Sequence, residues 1–357
     1  MKISNGMKTN LKKISSVPEF RQDMVSGDWI LVAPGRARRP IPKIRKEESG
    51  GAKKNCPFDN LKFQENPPVL WLPHPDAGDA LKAENPFKNW WVAVLPNKFP
   101  ALAARKNKVC PEPAKNGYYS RMDGVGFHEV IITRGHKRRI SEMTAGEAAA
   151  LIEVYQERYR QLTRRQCVEY ILIFHNQGWS AGSSIFHPHS QLIALPVIPP
   201  DVSKSLEGSR LYYLQNRKCV HCAMLDWERS QKTRLVYENK FFVVVEPYAP
   251  RVSYETRIFP KRHSARFEEI NESERAALAD VLGAGLRALK KTLADPDYNF
   301  FIHTAPAKSN FNSNYYHWHI EILPRVALWA GLELGTGIEI VSVSPESAAA
   351  ELRKYLK

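Results

Sequence analysis

Apolar residues recur along the chain in two patterns. Short runs closed by proline or histidine read as strands: Trp90 to Leu95 before Pro96, Glu129 to Ile132 before His136, Tyr170 to Phe174 before His175, and Leu192 to Leu195 before Pro196. Between the second and third runs, Ala150, Leu151, Val154 and Tyr155 fall at helical spacing. Thr144 with Glu147 matches a capping box, an oxygen acceptor three residues ahead of a glutamate. The order is strand, strand, helix, strand, strand.

That order is then repeated. Phe241 to Val245 precedes Pro247, and Tyr254 to Phe259 precedes His263. Asn271 with Glu274 caps a helix bearing Leu278, Val281, Leu282 and Leu286, and Tyr298 to Ile302 runs into His303. The interval from His136 to Thr144 equals that from His263 to Asn271, whereas Thr144 to His175 and Asn271 to His303 differ by one residue. His187-Pro188-His189 and His317-Trp318-His319, each leading to a Leu-Pro end, align the halves. A unit of this kind written twice predicts an α+β fold of tandem antiparallel sheet units with packed helices, neighbouring copies joining into one larger sheet. The division is expected at residues 1–200 and 201–357, with a linker from Ile198 to Ser205 where Pro199 and Pro200 break regular structure.

Composition narrows the setting. The chain has 357 residues and 43% hydrophobic content, enough for a buried core. It has no apolar run near the roughly 18 residues of a membrane helix, nor an apolar leader, so a soluble cytoplasmic protein is expected. The cysteines Cys56, Cys110, Cys167, Cys219 and Cys222 are odd in number and widely spread, which argues against a disulfide framework. A net charge of +15 suits an anionic partner such as a nucleotide, a sugar phosphate or a nucleic acid. Much of the excess sits in Lys2 to Lys13, Arg36 to Lys54 and Lys137 to Arg139, which read equally well as solvated surface. Aromatics are not interleaved with these stretches as stacking platforms would need, which argues against a nucleic-acid binder.

The duplication also pairs chemistry-bearing residues: Cys56 with Cys219, Asp59 with Cys222, His136 with His263, and His187 with His317. Two thiolates and two imidazoles make the closed tetrahedral set that zinc prefers, which predicts a structural zinc at Cys219, Cys222, His263 and His317. Asp59 is a harder ligand than a thiolate, so Cys56, Asp59, His136 and His187 form an altered second candidate. Residues two apart on a strand share a face, so His187 can serve a metal while His189 reacts. A neutral imidazole is a good nucleophile toward phosphorus. The small-residue loop Gly178 to Ser184 offers backbone N–H groups and hydroxyls to a phosphate. Thr304 to Tyr316 replaces that loop in the second half, which predicts one chemical centre per two repeats and another task for His319.

Ser184-Ile185-Phe186-His187-Pro188-His189-Ser190-Gln191, with Asp28 to Pro34, Arg36 to Pro40, Asn97 to Leu102 and Ala330 to Glu333, resembles the histidine-triad superfamily. Within it the chain is similar to the galactose-1-phosphate uridylyltransferase family, which also contains ADP-glucose phosphorylases. The resemblance spans nearly the whole chain. It implies two histidine-triad-like domains, the first catalytic, and a ping-pong reaction on nucleotide sugar and sugar 1-phosphate substrates in a homodimer. His189 would attack the α-phosphorus and Gln191 would bind the transferred phosphoryl oxygens. Ser184 and Asn176 would contact phosphate, Asn97 and Phe99 would hold the nucleoside, Arg36 and Arg39 would lie near the phosphates, and Glu333 would sit at the sugar end. Three departures stand out. Asp59 replaces a cysteine, Leu332 replaces a tyrosine beside Glu333, and Cys219 with Cys222 favours zinc over the iron that another branch holds with histidines such as His303, His317 and His319.

The function expected first is uridylyl transfer from UDP-glucose to galactose 1-phosphate. The alternative is ADP-glucose phosphorolysis through the same histidine, since Asn97 and Phe99 do not reveal the base. A zinc-stabilised binding module without a reaction is a third reading.

Overall fold

The computed structural model describes residues 17–38, 56–77, 88–104, 110–308 and 310–356. Arg39 and most of the basic stretches before residue 56 lie outside them. In chain order the first half contains β1 (Glu19–Gln22), β2 (Trp29–Val32), β3 (Leu70–Pro73), β4 (Trp90–Pro96), β5 (Ala114–Asn116), β6 (Tyr119–Arg121), β7 (Phe127–Thr133), α1 (Ala145–Thr163), β8 (Tyr170–Gln177) and β9 (His189–Leu195). The second half contains α2 (Pro200–Asn216), α3 (Val220–Gln231), β10 (Leu235–Glu238), β11 (Phe242–Val245), β12 (Thr256–Pro260), α4 (Glu272–Thr292), β13 (Tyr298–His303), β14 (His319–Pro324), α5 (Gly331–Thr336), β15 (Ile340–Val341) and α6 (Pro345–Arg353).

One ten-stranded sheet holds both halves, in the order β3-β4-β7-β9-β8-β13-β14-β12-β11-β10. The order is the same read from either end once each strand is exchanged for its repeat partner. β8 and β13 join the halves antiparallel, Asn299 opposite Asn176. The edge strands β3 and β10 extend the expected four-strand unit to five.

Both helices begin where the capping boxes place them. Thr144 Oγ1 accepts from the Glu147 N–H and the Thr144 N–H donates to Glu147 Oε2, and Asn271 and Glu274 make the same reciprocal pair. The apolar stripes of α1 and α4 cover one sheet face, packing Leu151, Tyr155, Leu278 and Leu282 against Val92, Ile173, Val244 and Phe300. Fully burying a ring such as Phe300 is worth roughly 2–3 kcal/mol. The opposite face carries the polar residues that matter below.

Three expectations are corrected here. Pro199 and Pro200 do not interrupt structure; Pro199 caps α2 and Pro200 begins it, a position where the missing N–H costs nothing. Cys110 and Cys167 form a disulfide, their Cα atoms 5.1 Å apart across 57 residues of sequence. The fold closes a distance that thin sequence spacing conceals. The third concerns His175 and His303. His175 pairs with Ser190, but His303 pairs with His319, so the two histidines stand on opposite sheet faces. The one-residue difference in interval produces this slip, and the register counterpart of His303 is Asn176.

No helix among the described residues is long and apolar enough to cross a membrane. Within the basic run at 137–139, Arg138 pairs with Glu147 and Arg139 with Asp295.

Candidate active site and metal-type clusters

β9 starts at His189, and strand alternation puts His189 and Gln191 on the open face and Ser190 on the helix side. Ser190 is held there by Tyr155 Oη and His175 Nδ1. Burial pushes the His175 pKa down to about 3, helped by nearby His189, so its ring is a neutral core member. The His189 Nδ1–H donates to the His187 carbonyl at 2.9 Å. The Nε2 lone pair is therefore the available one, the form a nucleophile needs. Burial, in the first place, holds the His189 pKa below the ordinary imidazole range. Phe58 packs against both His187 and His189, with ring centroids 5.7 and 5.1 Å away.

His187 is wholly buried and turns the other way. Its Nε2–H donates to the Thr133 carbonyl at 2.6 Å, leaving Nδ1 toward Cys56 Sγ at 3.5 Å and Asp59. Asp59 also contacts His136 Nδ1. Ligand atoms of Cys56, Asp59, His136 and His187 all lie within 4.8 Å of one another. The second half repeats the arrangement with Cys219, Cys222, His263 and His317, again within 4.8 Å. There the Nε2–H groups of His317 and His263 donate to the Pro260 and Ser313 carbonyls, each at 3.0 Å, and both Nδ1 atoms face Cys222 Sγ at 3.5 and 3.3 Å. Imidazoles locked by a carbonyl at one nitrogen with the other turned into a cluster are what a metal site requires. Both sets of donors fit a divalent metal of the zinc type. The hydrogen bond shared with Cys222, joined by His263 and His317, drives the Cys219 thiol toward its thiolate. Burial, with Asp59 beside it, pushes the Cys56 thiol upward.

The loop from Gly178 to Ser184 differs from the open cradle expected of it. Gly178 at φ +86° carries no side chain because a Cβ would stand 1.8 Å from Asp297 Oδ1. Asp297 Oδ2 accepts from the Ser180 N–H and hydroxyl at 2.9 and 2.7 Å. The N–H groups of Ala181, Gly182 and Ser183 bond within the turn, so those backbone donors are already used. Ser184 is exposed beyond them. Asn176 stands on the open face beside Gly182, and its Oδ1 accepts from Asn299 Nδ2 at 2.7 Å. Its own amide hydrogens are thereby aimed away from Asn299. Asn299 Oδ1 in turn accepts from Arg325 Nε at 2.6 Å. Asp297, Asn299 and Arg325, all from the second half, thus hold the loop and the amide of the first.

Asn97 and Phe99 follow β4. Asn97 Oδ1 accepts from the Phe99 N–H at 2.9 Å, and the Phe99 ring is 81% exposed. Gln191 Oε1 lies 2.8 Å from Nε2 of His128 on β7. The sequence reading missed His128, although it shares the face of Val130 two residues on. Arg36 is exposed in the 3-10 turn Pro34–Arg38 that follows β2, a strand of the separate β1-β2-β15 sheet. The Glu333 carboxylate accepts from the Ala330 N–H at 2.9 Å and caps its own helix α5.

The second H-x-H has a different surrounding. The His319 Nδ1–H donates to the His317 carbonyl at 3.2 Å, as in the first half, but its ring is stacked by Phe259 and His303, each with centroids 4.9 Å away. Glu321, at the position of Gln191, is bound by His303 Nε2 at 2.9 Å and lies 3.5 Å from Arg257. Burial opposes its charge, but Arg257 and His303 hold its carboxyl well below the usual range. A carboxylate repels a phosphoryl oxygen, so the surroundings of His319 differ in charge from those of His189.

The sequence model of the galactose-1-phosphate uridyl transferase N-terminal domain matches residues 7–199, and a domain of unknown function, DUF4921, matches residues 116–357. The chain is 34% identical to an ADP-glucose phosphorylase of Arabidopsis thaliana over 94% of this chain and 93% of that protein. It is 28% identical to a galactose-1-phosphate uridylyltransferase of Thermotoga maritima over 94% and 98%. A crystal structure of the Arabidopsis thaliana ADP-glucose phosphorylase with bound ADP-glucose superposes with a TM-score of 0.77 at 32% identity, covering 95% of this chain and 99% of that one. With a family match over more than half its length and relatives aligned almost end to end, the chain belongs to the galactose-1-phosphate uridylyltransferase family.

Proposed function

We propose that the chain transfers a nucleotidyl group from a nucleoside-diphosphate hexose through a covalent bond to His189. The observation that carries this reading is the orientation of His189, Nδ1–H on the His187 carbonyl and the Nε2 lone pair available beside Gln191. Nε2 attacks the α-phosphorus, a P–N bond forms, and the bond to the sugar 1-phosphate oxygen breaks with its electron pair leaving on that group. The Nδ1–H bond to His187 stabilises the positive charge that develops on the ring. An incoming phosphate oxygen then attacks phosphorus, and the P–N electron pair returns to Nε2. Gln191, Asn176 and Ser184 supply neutral donors to the phosphoryl oxygens.

Within this chemistry, phosphorolysis of ADP-glucose is the finer reading supported by the 34% identity and by Leu332 at the sugar end. Uridylyl transfer between glucose and galactose 1-phosphates is the second, supported by the Thermotoga maritima relative. Zinc would be held by Cys219, Cys222, His263 and His317, and by Cys56, Asp59, His136 and His187, where it would tie strand ends together. The exposed Arg36 and the half-buried Glu333 would serve the substrate in a homodimer. Incubation with ADP-glucose or UDP-glucose labelled at the α-phosphorus tests the reading. Label is expected on the wild-type protein and not on His189→Gly. Labelling from UDP-glucose alone would overturn the adenylyl assignment, and none from either would overturn the function.

A further inference from the structure

We propose that His128 is a positioning residue that fixes the amide of Gln191 for phosphate binding and ties it to the nucleoside loop, an inference resting on the proposed nucleotidyl transfer. The Ala101 backbone N–H donates to His128 Nδ1 at 3.0 Å. A backbone amide nitrogen can only donate, so Nδ1 holds the lone pair and the neutral ring carries its proton on Nε2. That Nε2–H points at Gln191 Oε1, 2.8 Å away. The Gln191 carbonyl is consumed, and its amide N–H groups are turned to the side where a phosphoryl oxygen needs donors. With the opposite tautomer the amide would reverse and present a carbonyl to the phosphate.

The same residue anchors the loop that follows β4. The Asn97 N–H donates to the His128 carbonyl at 2.9 Å. Asn97 Nδ2 lies 3.2 Å from His128 Nε2, but both are donors, and Asn97 Oδ1 is committed to Phe99. The Asn97 amide hydrogens are therefore left for an acceptor on the nucleoside. One imidazole thus links the segment Asn97 to Ala101, on the nucleoside side, with Gln191 on the phosphoryl side.

A double-mutant cycle tests this with the full chain and the nucleotide sugar it turns over. His128→Ala is expected to slow turnover by about ten- to a hundredfold. In a Gln191→Ala background the same change is expected to cost less than about twofold, because the group being positioned is gone. An amide can both accept and donate, so His128→Gln is expected to recover most of the loss. Equal losses in both backgrounds, or no recovery in His128→Gln at an unchanged melting temperature, would overturn the proposal. Nitrogen-15 spectra of histidine-labelled protein without substrate give an independent readout. The Nε2–H tautomer is expected for His128, its signal assigned by its absence in His128→Gln, and the Nδ1–H tautomer would overturn the assignment. Absence of turnover by the wild-type protein with both nucleotide sugars would remove the proposed function, and the tautomer would then decide the His128 assignment alone.

Discussion

The two H-x-H segments share a backbone and differ in what surrounds them. In both, the second histidine donates from Nδ1 to the carbonyl of the first, and the first donates from Nε2 to a carbonyl at the end of a neighbouring strand. Around His189 stand Gln191, Asn176 and an exposed loop; around His319 stand two stacked rings and the Glu321 carboxylate. Under the proposed function, orientation of an imidazole is therefore not by itself enough for phosphoryl chemistry. The two rings are almost equally buried, 8% and 6% exposed, so on that reading the difference lies in the neutral amides beside His189 against the carboxylate beside His319.

The largest expected effect separates the two histidines directly. His189→Gly should lower turnover by about 10⁴-fold or more, as loss of a nucleophile does. His319→Leu should leave turnover within a few-fold, its effect confined to the melting temperature. Parallel kinetics and thermal melts check this, and a comparable loss from His319→Leu would remove the asymmetry between the halves.

The metal-type clusters give the next comparison. Cys222→Ser should lower the metal-to-protein ratio by one and cost more than about 5 kcal/mol of stability, since a structural metal is bound only by the folded chain. Cys56→Ser should cost less, because its site already pairs one thiolate with a carboxylate. Asp59→Cys, which makes the two clusters alike in donors, should slow metal release to a chelator. Elemental analysis with denaturation measures these effects, and faster release from Asp59→Cys would contradict the ligand-softness explanation.

The smallest effect should be the same in both halves. Thr144→Ala and Asn271→Ala each remove a cap worth about 1 kcal/mol. The partners Glu147 and Glu274 both have depressed pKa values despite burial, through the Thr144 N–H and His74 for the first and through Arg262 and the Asn271 N–H for the second. A depressed folded pKa adds stability that is complete above the ordinary glutamate value and is lost as pH falls through the folded one. Glu147→Gln and Glu274→Gln should therefore differ from wild type more at neutral pH than in acid. Thermal melts across that range check the sign.

The amino-acid sequence alone determined the duplication, the two capping boxes, the paired metal-type positions and the strand bearing His189. Each depends on local periodicity or on chain order, which the residues carry directly. Tertiary structure decided which face each histidine occupies, since a one-residue difference in length between cap and strand turns His303 toward His319 while His175 faces the core. It also tied the Ser180 N–H to Asp297, oriented Asn176 through Asn299, brought His128 to Gln191, and closed the bridge between Cys110 and Cys167. These contacts join residues far apart in sequence, and their geometry is set by strand register and hydrogen-bond direction. Neither is a property of any single segment of the chain.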